Sequence, residues 1–309
     1  MANSTMVMEF LLLGSHDVWN MSLLYFMLFT VTYLGTLLGN LLIVTLTTAD
    51  QNLHTPTYFF LRNLSILDTC FISVTVPNAC VNSITGNRAI SVGGCETQIF
   101  LVLFCVCVEL LFLSIMAWDC YVAICQPLQY PTIMNPQFCV CMSLASLLSD
   151  LVYGGVHTGN TFHLSFYQSN MVHQFFCDVP SLLRLSCSDT TSNKILILVS
   201  IIVLGGGCFG LIIMSYIHIF STGLKVNSSV KAFSTCTPHI LVVSIFLSSG
   251  TGVYLRPSAN SDTLQDLIPS ACYTMVPPLL NSLIYSLRNK QIKEAVMRVM
   301  GRNFFSGKR

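Results

Sequence analysis

Charged side chains are scarce. They make up 9% of the 309 residues, against 53% hydrophobic, whereas a soluble domain carries about 25% charged residues. A surface so poor in charge cannot be solvated by water on every side. Neither sign dominates, because the net charge is +1, so there is no electrostatic case for a nucleic-acid partner. No segment shows the alternation over about ten residues that a membrane β-barrel strand requires. No internal repeat points to a transporter built from related halves, which leaves a seven-span transporter as a distant alternative. His54, His157, His163, His173, His218 and His239 are scattered and form no nucleophile–base set with the acids. An enzyme is therefore not expected. The cysteines show no zinc-type spacing, and neither a metal nor another cofactor is called for.

Long uncharged runs take the place of charge. They occupy 18–49, 69–87, 97–108, 120–149, 195–224, 232–255 and 267–287. Several exceed the roughly 20 residues that cross a hydrocarbon core as a helix, and lipid leaves the backbone no partner outside the helix itself. The isolated acids Asp68, Glu109, Asp119 and Asp150 interrupt such stretches without ending them. Seven spans follow, near 22–48, 57–80, 96–125, 138–160, 193–222, 233–255 and 266–288. The expected fold is an all-α membrane protein, a seven-transmembrane helix bundle. Residues 1–21 form an N-terminal segment, 22–288 the bundle and 289–309 a tail.

Basic residues set the orientation. One face receives Arg62, Lys225, Lys231 and the tail residues Arg288, Lys290, Lys293, Arg298, Arg302, Lys308 and Arg309; the other receives Arg88, Arg184, Lys194 and Arg256. The richer face is cytoplasmic by the positive-inside rule, so the N-terminus is extracellular, and Asn3 in Asn3-Ser4-Thr5 is a usable glycosylation site. The first twenty residues contain Glu9 and Asp17 and no basic stretch before an apolar core. A cleavable signal peptide is therefore not expected, and the first span would act as its own insertion signal. In the tail, apolar residues at 292, 295, 296, 299 and 300 form one helical stripe, which predicts a short amphipathic helix on the inner leaflet.

Polar residues inside the spans are costly and tend to face the bundle interior. They are Asn40 in the first span, Asp68 in the second, Glu109 in the third, Asp150 in the fourth, and Asn281 and Tyr285 in the seventh. They can serve as interhelical hydrogen bonds. Alternatively, Asp68 and Glu109 form an interior acidic pair that shares a proton or binds a cation.

Five motifs run through the chain in order. They are Leu53-His54-Thr55-Pro56-Thr57-Tyr58-Phe59-Phe60-Leu61, Met116-Ala117-Trp118-Asp119-Cys120-Tyr121-Val122-Ala123-Ile124-Cys125, Ser215-Tyr216, Lys231-Ala232-Phe233-Ser234-Thr235-Cys236-Thr237-Pro238-His239, and Pro278-Leu279-Leu280-Asn281-Ser282-Leu283-Ile284-Tyr285-Ser286-Leu287-Arg288-Asn289. Together they resemble the LHTPMYFFL, MAYDRYVAIC, SY, KAFSTCxSH and PMLNPxIYSLRN motifs of olfactory receptors, which are rhodopsin-like G-protein-coupled receptors. The resemblance implies a plasma-membrane receptor for a small volatile odorant, acting on a stimulatory heterotrimeric G protein to raise cAMP.

The same resemblance implies a disulfide between Cys95 and Cys177, with Cys187 left as an odd thiol. It also implies a pocket between the third, fifth, sixth and seventh spans, for which the candidates are Val102, Leu103, Val106, Cys107, Leu247, Ser248, Thr251, Tyr254 and Met275. Val102 stands where amine-sensing relatives hold an acid, and no Lys or Arg lies at that depth on the sixth span. A buried unpaired charge is costly, so a neutral odorant is expected.

Coupling and activation would fall to Asp119, Cys120, Tyr121, Tyr216, Lys231, Asn281 and Tyr285. Cys120 departs from the family, which has arginine there. A thiol has neither the charge nor the planar fork of donors of a guanidinium. Asp119 is expected to lack its usual partner, and the alternative to a signalling receptor is the same fold with impaired or absent coupling. Ser282 replaces a proline and is expected to straighten the seventh helix.

Overall fold

The computed structural model describes residues 8–12, 19–85, 89–166, 170–172, 174–225, 240–245, 248 and 263–288, and in the tail 292, 294, 295, 297 and 298. The principal helices are α1 (Trp19–Ala49), α2 (Pro56–Thr85), α3 (Val92–Cys125), the short α4 (Tyr130–Ile133), α5 (Pro136–Phe162), the short α6 (Val179–Leu185), α7 (Thr191–Ser200), α8 (Gly206–Lys225) and α9 (Thr263–Arg288). A π-helical turn, Ile201–Gly205, joins α7 to α8 into one continuous rod. Among the described residues five helices are long and apolar enough to cross a membrane: Leu23–Ala49, Pro56–Thr85, Val92–Cys125, Pro136–Phe162 and Thr191–Gly223. Residues 240–245 of the expected sixth span are helical, and α9 occupies the seventh.

The helices overrun the apolar stretches because polar residues cap them rather than end them. Ser91 accepts a hydrogen bond from the Gly94 amide at 3.1 Å, so α3 starts at Val92, a turn before the expected 96. Asn135 accepts from the Phe138 amide at 2.8 Å with Pro136 in the first helical turn, a favoured start for a helix. Threonine and serine hydroxyls within the spans return their protons to carbonyls one turn back. Thr47 to Ile43, Thr75 to Phe71 and Ser114 to Leu110 are examples, and each satisfies a polar group that lipid cannot.

The central core joins α1, α2, α3, α8 and α9 through residues such as Ile43, Leu64, Phe112, Leu113, Tyr216 and Tyr285. The opposite sides of the helices present leucine and valine outward, as at Leu38, Leu148 and Val203. At Gly39 α1 comes close to α9. A Cβ there would lie 2.6 Å from Ser282 Oγ.

One element was not expected. Glu9–Leu12 forms β1, Ala89–Ser91 forms β2 and Met171–Val172 forms β3, in the order β2-β1-β3. β1 runs antiparallel to β2, pairing Phe10 with Ile90, and parallel to β3, pairing Leu11 with Met171. Phe10 and Leu12 are buried with Cys95, Cys177 and Leu182. This small sheet caps the outer end of a bundle that is otherwise helical.

Candidate functional site

Interior polar groups converge on α2, α3 and α9. Asn281 Nδ2 donates to both oxygens of Asp68 at 3.2 Å. Glu109 is the electrostatic neighbour of that carboxyl, and neither of its own oxygens has a hydrogen-bond partner among the described residues. Asn40 Nδ2 donates to the carbonyls of Thr36 at 3.1 Å and Pro278 at 3.3 Å, joining α1 to α9. Two buried carboxyls with one amide between α2 and α9 can hold a shared proton or a small cation. Among the described residues no group of three or more metal-ligating side chains occurs.

At the outer end Cys95 and Cys177 form a disulfide with Cα atoms 5.5 Å apart. Gln98, one turn beyond Cys95 on α3, reinforces it. Its Nε2 donates to the Val74 carbonyl at 3.1 Å, and its Oε1 accepts from the Cys177 amide at 2.9 Å. Nothing in the sequence singled out Gln98; only its spacing of three from Cys95 hints at a shared face. The loop residue Phe175 then meets Tyr25 and Phe29 of α1, with ring centroids 5.1 and 5.0 Å apart. Phe175 and Phe176 are buried with Met275, so the loop forms a lid on that side. Cys187 is exposed and unpaired.

The pocket candidates do not share one wall. Val102 and Val106 pack against the central core, Leu103 sits beneath the disulfide, and Met275 lies with the lid aromatics. Cys107 turns the other way, toward Tyr153 of α5. There it joins a second polar group: His157 Nε2 lies 3.0 Å from Ser200 Oγ, and the Tyr153 and His157 rings meet at a tilt with centroids 4.3 Å apart. Asp150 is 1% exposed and neither of its oxygens has a partner among the described residues. Ser248 Oγ donates to the Ile245 carbonyl at 3.1 Å. Leu247, Thr251 and Tyr254 lie outside the described residues, as do Asn3 and Lys231.

At the inner end the expectation for Asp119 is corrected. The acid is not without partners. Thr57 Oγ1 donates to Oδ2 at 2.5 Å, and Tyr130 Oη donates to Oδ1 at 2.8 Å. Two neutral donors therefore supply what a guanidinium would, and they pin both α2 and the loop helix α4 to α3. Cys120 packs partly buried against the central core and is an electrostatic neighbour of Tyr285. The Tyr285 hydroxyl is buried and has no hydrogen-bond partner among the described residues. The Tyr121 ring meets those of Trp118 and His218 at a tilt, with centroids 5.1 and 5.5 Å apart. Its hydroxyl accepts from Gln126 Nε2 at 3.2 Å. Tyr216 is buried in the core nearby. In the tail, Ile292 and Ala295 are buried and Arg298 Nη2 pairs with Asp50 at 2.8 Å. Of the apolar stripe, Ile292 and Ala295 face the bundle, and 296, 299 and 300 lie outside the described residues.

The olfactory receptor family model matches residues 29–303. Olfactory receptor 14C36 of Homo sapiens is 62% identical over 309 residues, with 99% of each chain covered. Olfactory receptor 14A16 of Homo sapiens is 48% identical, with 96% of each chain covered. Among solved structures, squid rhodopsin superposes with a TM-score of 0.73 at 16% identity, covering 93% of this chain and 87% of that one. That likeness concerns the fold, a rhodopsin-like helix bundle. Motifs, bundle and relatives converge, and the chain belongs to the olfactory receptor family.

Proposed function

We propose that this receptor takes a small neutral odorant beneath the lid and acts on a stimulatory heterotrimeric G protein to raise cAMP, with coupling weakened at Cys120. The protein is a multi-pass plasma-membrane receptor and not an enzyme. The uncharged candidates Val102, Leu103, Val106 and Met275 favour an apolar ligand, and an oxygen on it would bond to Ser248, Thr251 or Tyr254. Asp68, Glu109 and Asn281 would hold a proton or a cation deeper in the bundle.

The observation that carries the coupling reading is the bonding of Asp119. Thr57 and Tyr130 satisfy it, so the resting arrangement of α2, α3 and α4 is held without arginine. Position 120 offers no long cationic donor for a G protein once that arrangement opens. Restraint and coupling are thereby separated: the first is kept by neutral hydrogen bonds, and the second has lost its charge.

A cAMP assay with matched surface expression tests this, comparing the natural chain with Cys120→Arg across a broad odorant panel. The expected result is a larger maximal response in the arginine variant to the same neutral odorants. Equal responses would remove position 120 from the account, and acids or amines as the strongest agonists would remove the neutral pocket.

A further inference from the structure

A cavity of about 490 Å³ opens between the inner ends of α2 and α5, beside the Thr57–Asp119–Tyr130 contact, whose chain neighbours Pro56, Tyr58 and Pro131 line it. His54, Thr55 and Arg62 of its lining are polar, and Met134, Cys139 and Val140 are apolar. Arg62 lies over the Phe59 ring, 5.7 Å from guanidinium carbon to centroid, and no acid among the described residues pairs with it. The basic residue in the tail is placed differently, since Arg298 is already committed to Asp50. Arg62 therefore presents a positive charge without an acidic partner among the described residues at the level where α2 and α5 begin, Pro56 and Pro136.

A second depression runs up the outward side of α5 from the same place and shares Pro136 and Val140 with the first. It continues over Leu144 and Leu148 and is almost wholly apolar. Val140, Leu144 and Leu148 are 47%, 53% and 63% exposed. They recur at helical spacing on the side of α5 turned away from the core. A cationic cup at the headgroup level thus opens into an apolar strip at the acyl level.

We propose that this composite site holds one anionic phospholipid of the inner leaflet, its phosphate on Arg62 and His54 and one acyl chain along Val140, Leu144 and Leu148. The inner leaflet is rich in anionic lipid, and a guanidinium binds phosphate through a fork of donors. A sterol would bring one hydroxyl and no charge to the cup. A soluble phosphate would leave the strip unused.

Native mass spectrometry of the purified full-length receptor, titrated with phosphatidylserine, tests the site. Arg62→Gln is expected to reduce retained phosphatidylserine about tenfold, while Arg298→Gln, which removes the same charge, leaves it unchanged. Val140→Trp, at a position 47% exposed on the outward side of α5, is expected to reduce it as well by filling the junction. Should Arg62→Gln unfold, Val140→Trp decides. Equal losses in Arg62→Gln and Arg298→Gln, no loss in Val140→Trp, equal retention of phosphatidylcholine by the natural chain, or displacement by cholesterol or by chain-free glycerophosphoserine would each overturn the proposal.

Discussion

Tyr130 Oη lies 2.8 Å from Oδ1 of Asp119, and that bond fastens the loop helix α4 to α3. Burial, and then the neighbouring Asp119 charge, push the Tyr130 phenol above its ordinary range, so it stays a donor at every physiological pH. Tyr130→Phe removes the donor and leaves half of a buried carboxylate unsatisfied. The expected cost is about 1–3 kcal/mol, seen as a lower thermal unfolding temperature in detergent. Thr57→Val attacks the other oxygen of the same acid. Because both bonds end on Asp119, the double variant should depart measurably from the sum of the two single losses.

Gly39 offers a test of helix contact rather than hydrogen bonding. An added Cβ would meet Ser282 Oγ at 2.6 Å and Ser282 Cβ at 3.0 Å. Gly39→Ala should therefore cost about 1–3 kcal/mol through overpacking, despite alanine's better helix propensity. At Gly35 the nearest atom, Leu279 Cδ1, is 3.6 Å away, and Gly35→Ala should be neutral or stabilising by up to about 1 kcal/mol. Surface expression and thermal unfolding of the two variants distinguish the positions. Adding Ser282→Gly to Gly39→Ala should recover part of the loss.

The extracellular loop carries a pH dependence. Burial pushes the Asp178 carboxyl up to about 6, while hydrogen bonds from Ser181 and the charge of Arg184 hold it lower than burial alone would. Its Oδ1 has no hydrogen-bond partner among the described residues. The folded pKa is thus above the unfolded value of about 3.9, so the folded state binds the proton more tightly. The associated stability is fully present below pH of about 4 and is lost as pH rises through about 6. Thermal unfolding measured across that window should show a falling midpoint from this group, and Asp178→Asn should flatten that part of the profile.

The seven apolar stretches were legible because transfer of single residues into lipid dominates their energetics, and that quantity adds along the chain. Asp68, Glu109 and Asn281 were legible for the converse reason, since polar groups at that depth have few places to point. The helix ends were less so: Ser91 and Asn135 act through one local hydrogen bond each, which hydropathy does not register.

The partners of Asp119 were hidden by distance, since Thr57 lies 62 residues away and belongs to a motif that marks the family without stating its contact. Cys107 shows a different limit. A helix turns 100° per residue, so Val106 meets the central core while its neighbour meets α5, and depth along the span does not separate the two. The strand β1 was invisible because four residues of mixed polarity become a strand only through partners far along the chain.

That strand also imposes an order on biosynthesis. β1 lies in the middle of its sheet, so it needs neighbours on both edges, and one of them, Met171–Val172, leaves the ribosome only after the first four spans have been made. Until then the N-terminal segment waits in the lumen with at most one edge paired to Ala89–Ser91. The first residues translated are therefore among the last to find their place. A nascent chain halted before Met171 would hold most of its membrane helices and yet lack a closed outer cap.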